Sequence, residues 1–186
     1  MARIYSILID SNILNNNTFF SNVIFIKGLK QFLINTANKN HNGIKSDIVD
    51  KFAKPESPYL NQLCNNLLLP NRNIRVESFF LIQSLSLISD KQLEVHEALN
   101  TLCLIEDIPH DLNSARDIQM RLRNMVVEYT KGATDDFSNK ICFNYMFGLI
   151  TIRFSPIFDT IIDSLGKLYY KDEKMVFELL KTKMKT

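Results

Sequence analysis

The sequence contains few residues that turn or break a chain. Its 186 residues include five glycines, five prolines and no tryptophan. An all-β fold needs turn residues at intervals of about 8–12 positions, so this scarcity argues against one. No apolar run approaches the roughly 18 residues of a membrane-spanning helix. The amino-terminal stretch also lacks the basic and apolar regions of a signal peptide. We therefore expect neither secretion nor a membrane partner.

Neither the charge nor the cysteine content indicates a particular partner. The 22 basic and 20 acidic side chains nearly cancel, which leaves a net charge of +2 and a pI near 8.4. A dedicated nucleic-acid-binding domain usually has a pI above about 9 and clustered Lys and Arg. Cys64, Cys103 and Cys142 are far apart and odd in number. They predict reduced thiols in the core of a nuclear or cytosolic protein, not a disulfide framework.

Apolar residues recur at helical spacing through almost every segment of the chain. After a short apolar stretch at 3–9, interpreted as a strand or as the end of a preceding helix, Thr18 is a natural helix cap. Helices are predicted over 19–38, 44–53, 58–67, 74–88, 91–105, 114–129, 135–154 and 156–171, with a last one from 173 onward. The helix at 74–88 is apolar around most of its circumference, which requires packing neighbours on several sides.

The predicted helix at 114–129 shows the pattern most clearly. Its core stripe consists of Ile118, Leu122, Met125, Val126 and Tyr129. On another side of the same helix, Arg121 follows Asp117 by four residues, which predicts a surface ion pair. Such an exposed pair stabilises a helix by only about 0.3–0.5 kcal/mol. The helix therefore separates a buried stripe from a charged face.

Two helices opened by proline indicate a weak internal repeat. Pro58 and Pro156 each follow a serine, and each opens a helix that is followed by a short polar turn and a second helix. Ser155 and Pro156 follow an apolar helix whose Gly148 predicts a close approach of two helix backbones. This plan is typical of HEAT repeats, which are helix pairs of roughly 40 residues. An irregular helical bundle is the alternative.

We therefore predict an all-α fold of antiparallel helix pairs, stacked as a HEAT-like α-solenoid segment with about eight to ten helices. Residues 1–53 are predicted to be amino-terminal helices and residues 54–186 to be HEAT-like repeats. The two parts are expected to form one continuous unit.

Side chains with catalytic or metal-binding chemistry are scattered along the chain. His96-Glu97 lacks the second histidine of an H-E-x-x-H helix, because Asn100 stands in that position. His96 and Cys103 are too few ligands for a zinc site. Glu106-Asp107 and Asp135-Asp136 are adjacent and point apart on a helix, so we interpret them as capping or surface residues. We expect no enzymatic activity, no metal and no cofactor.

Four arginines are the candidate contact residues. Arg116 and Arg123 are seven residues apart and share the face opposite the core stripe of helix 114–129. Arg72 and Arg75 lie at the start of helix 74–88. A guanidinium binds phosphate or carboxylate through two parallel hydrogen bonds, so these residues would contact RNA phosphates or an acidic partner. The other interpretation is a solvated helix face. No aromatic residues interleave with them as base-stacking platforms, so any RNA contact should be weak and non-specific.

Several short stretches, in order and at matching separations, resemble one scaffold family between about residues 67 and 181. They are Leu69-Pro70 with Ile74-Arg75, Ile105-Glu106-Asp107-Ile108-Pro109, Asn113-Ser114-Ala115-Arg116-Asp117, the stretch 147–156, and Lys171-Asp172-Glu173. These motifs resemble the down-regulated-in-metastasis family, the giant HEAT-repeat scaffold of the small-subunit processome. The first 66 residues resemble that family much less.

The resemblance implies a non-enzymatic scaffold segment that acts in 18S pre-rRNA processing in the nucleolus. Its implied partners are pre-ribosomal particle proteins and the U3 small nucleolar RNA–protein complex. Members of the family are very long, so the resemblance implies that this chain is one segment. The alternative function is a helical-repeat transport or regulatory adaptor that binds a peptide partner. A hydrolase or metal enzyme is a more distant third.

Overall fold

A computed structural model gives the structure of this chain and describes residues 19–38, 49, 51–54, 56–89, 93–132 and 135–183. The segment 3–9 and the predicted cap Thr18 lie outside the described residues. Of the helix predicted at 44–53, only residues 49 and 51–53 are described, and they are helical.

Every regular element in the described part of the chain is a helix, which confirms the predicted all-α class. The α-helices are α1 (Val23–Asn38), α2 (Pro58–Asn66), α3 (Arg72–Ile88), α4 (Thr101–Glu106), α5 (Ala115–Lys131), α6 (Asp136–Ile150), α7 (Phe158–Lys171) and α8 (Glu173–Lys183). Two 3₁₀ turns, Glu97–Asn100 and Ser155–Ile157, lead directly into α4 and α7.

The described residues fall into two compact units, one ending at Glu94 and the other beginning at Val95. The boundary predicted at residue 54 falls within the first unit. There, α3 packs against both α1 and α2. The apolar side chains that α3 buries are Ile74, Val76, Phe79, Leu81, Ile82 and Leu85. They lie on several sides of the helix, so the prediction that it is covered from several sides is confirmed.

In the second unit, α7 packs against α5, α6 and α8, and α4 packs against α5. The predicted core stripe of α5 is buried throughout: Ile118, Leu122, Met125, Val126 and Tyr129. Each unit also contains a helix that begins at a proline or just after one and is joined by a short turn to a second helix. These pairs are α2 with α3 and α7 with α8. In both pairs the two helices are in contact, as the internal repeat predicted.

The helix predicted at 91–105 is shorter than its apolar pattern suggested. His96, predicted to lie inside that helix, has a non-helical backbone, and its Nδ1 accepts the N–H of Ala98 at 3.2 Å. The N–H of His96 donates to Ser138 Oγ at 3.1 Å, 42 residues away. Because His96 caps the 3₁₀ turn, the α-helix begins only at Thr101.

Other helix ends also differ from the predicted ones. α1 begins at Val23, not at 19, because Asn22 Oδ1 accepts the N–H groups of Ile24 and Phe25 at 2.9 and 3.2 Å. α6 ends at Ile150 rather than near 154. The chain turns over residues 151–154, where the N–H of Phe154 donates to the carbonyl oxygen of Ile152 at 2.7 Å, and it restarts as a 3₁₀ turn that includes Ser155 and Pro156.

Ser57 precedes α2 but does not cap it with its side chain. It occupies the N-cap position, as predicted, and Pro58 occupies the first turn of the helix. The Ser57 hydroxyl donates instead to the carbonyl oxygen of Lys51 at 2.7 Å. This hydrogen bond ties the start of α2 to the short helical stretch before it.

Gly148 is buried in α6, so a larger side chain there should disturb the packing. We expect Gly148→Leu to lower the free energy of unfolding by about 1–3 kcal/mol, because buried neighbours must move to admit it. Gly166 in α7 is the matched control, since a Cβ added there meets nothing within 4 Å. Gly166→Ala should raise stability by about 0.5–1 kcal/mol through helix propensity alone. Urea denaturation measures both, and an unchanged midpoint for Gly148→Leu would contradict a close approach at Gly148.

Candidate functional site

Arg75, predicted to belong to an exposed basic patch, is fully buried. Its Nη1 donates to the carbonyl oxygen of Leu69 at 2.7 Å, and Leu69 lies in the turn between α2 and α3. The expectation that Arg75 contacts phosphate or a partner is therefore wrong, because its guanidinium holds the turn of a helix pair. Arg72, at the start of the same helix, is exposed.

Arg116 and Arg123 lie on one exposed face of α5, as their spacing predicted. They line a single open depression, here called the α5 groove. Its lining residues are Leu112, Ala115, Arg116, Gln119, Met120, Arg123 and Asn124. The structure thus brings together one of the two predicted arginine pairs and adds apolar side chains that were not predicted.

Contacts with the following elements fix the position of the α5 groove. Gln119 Nε2 donates to the carbonyl oxygen of Pro156 at 2.5 Å. Arg123 Nη2 donates to Thr160 Oγ1 of α7 at 3.3 Å. The turn before α5 is held by Asp111, whose Oδ1 accepts the N–H of Ser114 at 2.9 Å. The contacts of Gln119 and Arg123 therefore tie the groove-bearing helix α5 to the 3₁₀ turn and to α7.

The two arginines of the groove are electrostatically unlike the other cations of α5. Arg121 pairs with Asp117 at 3.2 Å between Nε and Oδ2, as predicted, and Lys131 pairs with Glu128 at 2.6 Å. Within the described ranges, no ion pair reaches Arg116 or Arg123. Their positive charge is therefore not neutralised by the described residues.

The cysteines occupy the core, as predicted. Cys64, Cys103 and Cys142 are buried, and none of them forms a disulfide within the described part of the chain. Burial raises the pKa of the Cys142 thiol to about 12. That thiol is therefore neutral at physiological pH, and the thiolate needed for nucleophilic attack does not form there.

The described histidines and carboxylates do not converge on one point. Asp135 caps α6 by accepting the N–H of Ser138 at 2.8 Å, as predicted. Glu106, interpreted as a capping or surface residue, is instead buried at the end of α4, whereas Asp107 is exposed. No group of three or more His, Cys, Asp or Glu residues in the described part of the chain could hold a metal ion. Among the same residues, no helix is both long and apolar enough to cross a membrane.

Sequence reasoning missed a lysine that caps α5 from another helix. Lys171 Nζ of α7 donates to the carbonyl oxygens of Tyr129 and Thr130 at 3.3 and 3.1 Å, and also to that of Gly132. These carbonyls end α5, where the helix dipole favours a cation. The only sequence signal for this contact was a basic residue at the end of a predicted helix.

The described part of the chain is all-α, and its candidate site is the α5 groove on the surface of one helix. The chain is similar to a segment of the U3 small nucleolar RNA-associated protein 20 of Saccharomyces cerevisiae, with 36% identity over 121 residues. That match covers 65% of this chain and 5% of the yeast protein. No family model matches the chain. This similarity supports the predicted resemblance in part: the chain is a segment related to that yeast protein.

Proposed function

We propose that this chain is a segment of a non-enzymatic scaffold for small-subunit ribosome biogenesis, of the down-regulated-in-metastasis family. Its role is to support 18S pre-rRNA processing within the small-subunit processome in the nucleolus. The observation that carries the proposal is the 36% identity, over 65% of the chain, to the yeast protein named U3 small nucleolar RNA-associated protein 20.

The fold supports a scaffold role on physical grounds. Stacked helix pairs contact mainly their neighbours, so such proteins present long surfaces to partners while their cores stay local. The pairs α2 with α3 and α7 with α8 follow this plan, since each joins two packed helices by a short turn. We propose that these pairs are HEAT-type repeats.

The proposed partners are pre-ribosomal particle proteins and the U3 small nucleolar RNA–protein complex. Any direct contact with RNA would be weak, because the chain carries a net charge of only +2. Affinity for RNA depends mainly on how many phosphates are neutralised. This segment therefore reaches RNA chiefly through proteins already bound to it.

Affinity purification of the tagged natural protein that carries this segment tests the proposal. Sequencing of the co-purified RNA should show enrichment of U3 small nucleolar RNA and 18S precursors over an untagged control. Mass spectrometry of the same eluate should show small-subunit pre-ribosomal proteins. Recovery of import receptors or of one peptide-bearing client, without U3 RNA, would instead support the transport or regulatory adaptor.

A further inference from the structure

Apolar and basic residues alternate along the α5 groove. Leu112 and Met120 are 81% and 54% exposed, although large apolar side chains are usually buried. Arg116 follows Leu112 by four residues, Met120 follows Arg116 by four, and Arg123 follows Met120 by three. These spacings place Arg116, Met120 and Arg123 on one face of the helix.

The separation of Arg116 and Arg123 along α5 matches that of two residues seven apart on a second helix. Seven residues of α-helix rise about 10.5 Å, so carboxylates seven residues apart on a partner helix span the same distance as Arg116 and Arg123. An apolar side chain midway between those carboxylates would then meet Met120. Each guanidinium can donate two parallel hydrogen bonds to a carboxylate.

An RNA strand fits the same groove less well. A phosphate backbone gains nothing from the exposed Leu112 and Met120 side chains, and the usual platforms for base stacking are aromatic side chains. None of the residues that line the α5 groove is aromatic. Positive charge that no described residue pairs, together with exposed apolar surface, therefore favours a protein partner.

We propose that the α5 groove binds an acidic amphipathic helix of a partner protein. Two carboxylates of that helix, seven residues apart, pair with Arg116 and Arg123, and an apolar side chain between them packs on Met120. This interaction goes beyond the proposed role in ribosome assembly and does not depend on it.

Arg123 is held in place before any partner arrives, because it donates to Thr160 Oγ1 at 3.3 Å. Thr160 itself is buried, which limits its own freedom. A side chain that is already ordered loses less conformational entropy on binding. Replacing Arg123 should therefore weaken binding more than replacing Arg116.

The test measures fluorescence anisotropy of a labelled helical peptide titrated with the 186-residue chain. The peptide carries two glutamates seven residues apart and leucines between them. Comparison peptides carry glutamine or lysine at both glutamate positions, and a single-stranded RNA oligonucleotide is a further probe. Arg116→Glu with Arg123→Glu should weaken binding of the glutamate peptide by about tenfold or more, and Met120→Ser by about threefold. The lysine peptide should bind the double variant better than it binds the wild-type chain.

Matched controls away from this face remove the same charge or apolar surface elsewhere. Arg121→Glu with Lys181→Glu alters charge on another side of α5 and on α8, and Ile162→Ser removes an apolar side chain of α7 that is 59% exposed. Both controls should change the dissociation constant by less than about twofold. Equal losses from the groove variants and their controls would overturn the proposal. So would RNA binding that is tighter than peptide binding and insensitive to Met120→Ser.

Discussion

Replacing Arg75 with alanine is expected to lower the free energy of unfolding by about 2–4 kcal/mol. The side chain is fully buried, so its removal leaves a cavity in the first unit. It also leaves the carbonyl oxygen of Leu69 without the donor that lies 2.7 Å away. Both effects act on the turn that joins α2 to α3, and circular dichroism during urea denaturation would measure their sum.

Arg72→Ala is the control for this prediction, because Arg72 begins the same helix but is exposed. We expect that substitution to change stability by no more than about 0.5 kcal/mol. If the two alanine variants unfold at the same urea concentration, Arg75 does not hold the helix pair together.

Asn66→Leu should lower the free energy of unfolding by about 2–4 kcal/mol, although the two side chains are similar in size. Asn66 is buried, and its Nδ2 donates to the carbonyl oxygen of Phe20 at 2.6 Å and to Ser78 Oγ at 3.0 Å. Leucine offers no donor, so a buried backbone oxygen loses its partner and Ser78 must find another. Thermal denaturation would report the loss as a lower melting temperature.

The neighbouring residue provides a matched comparison. Asn65 is exposed on α2, so Asn65→Leu introduces the same side chain without disturbing the buried contacts of Asn66. That variant should stay within about 0.5 kcal/mol of the wild type. A melting temperature for Asn66→Leu equal to that of Asn65→Leu would show that the buried hydrogen bonds add nothing to stability.

Helical periodicity predicted where the helices are, and it also contained a sign that Arg75 is buried. Phe79 and Ile82 follow Arg75 by four and seven residues, so all three share one face of α3, and all three are fully buried. Arg75 was predicted to be a contact residue because arginine is rarely buried without a partner. Its position on the same face as Phe79 and Ile82 indicated burial, and that indication was correct.

Helix ends and the position of the α5 groove depend on contacts between residues that are distant in sequence. His96 caps a turn while bonded to Ser138, 42 residues later, which no local pattern can show. The shared face of Arg116 and Arg123 followed from their spacing alone. The contact of Arg123 with Thr160 could not be predicted in that way, since it spans 37 residues and depends on how α5 packs against α7.

The proposed role in small-subunit assembly can be measured as the ratio of mature 18S rRNA to large-subunit rRNA. Cells depleted of the natural protein would express it with the substitutions Arg75→Ala and Asn66→Leu, or with the controls Arg72→Ala and Asn65→Leu. We expect the ratio to fall and 18S precursors to accumulate only with the destabilising pair. A normal ratio with that pair, or an equal loss of both rRNAs, would contradict a role in small-subunit assembly.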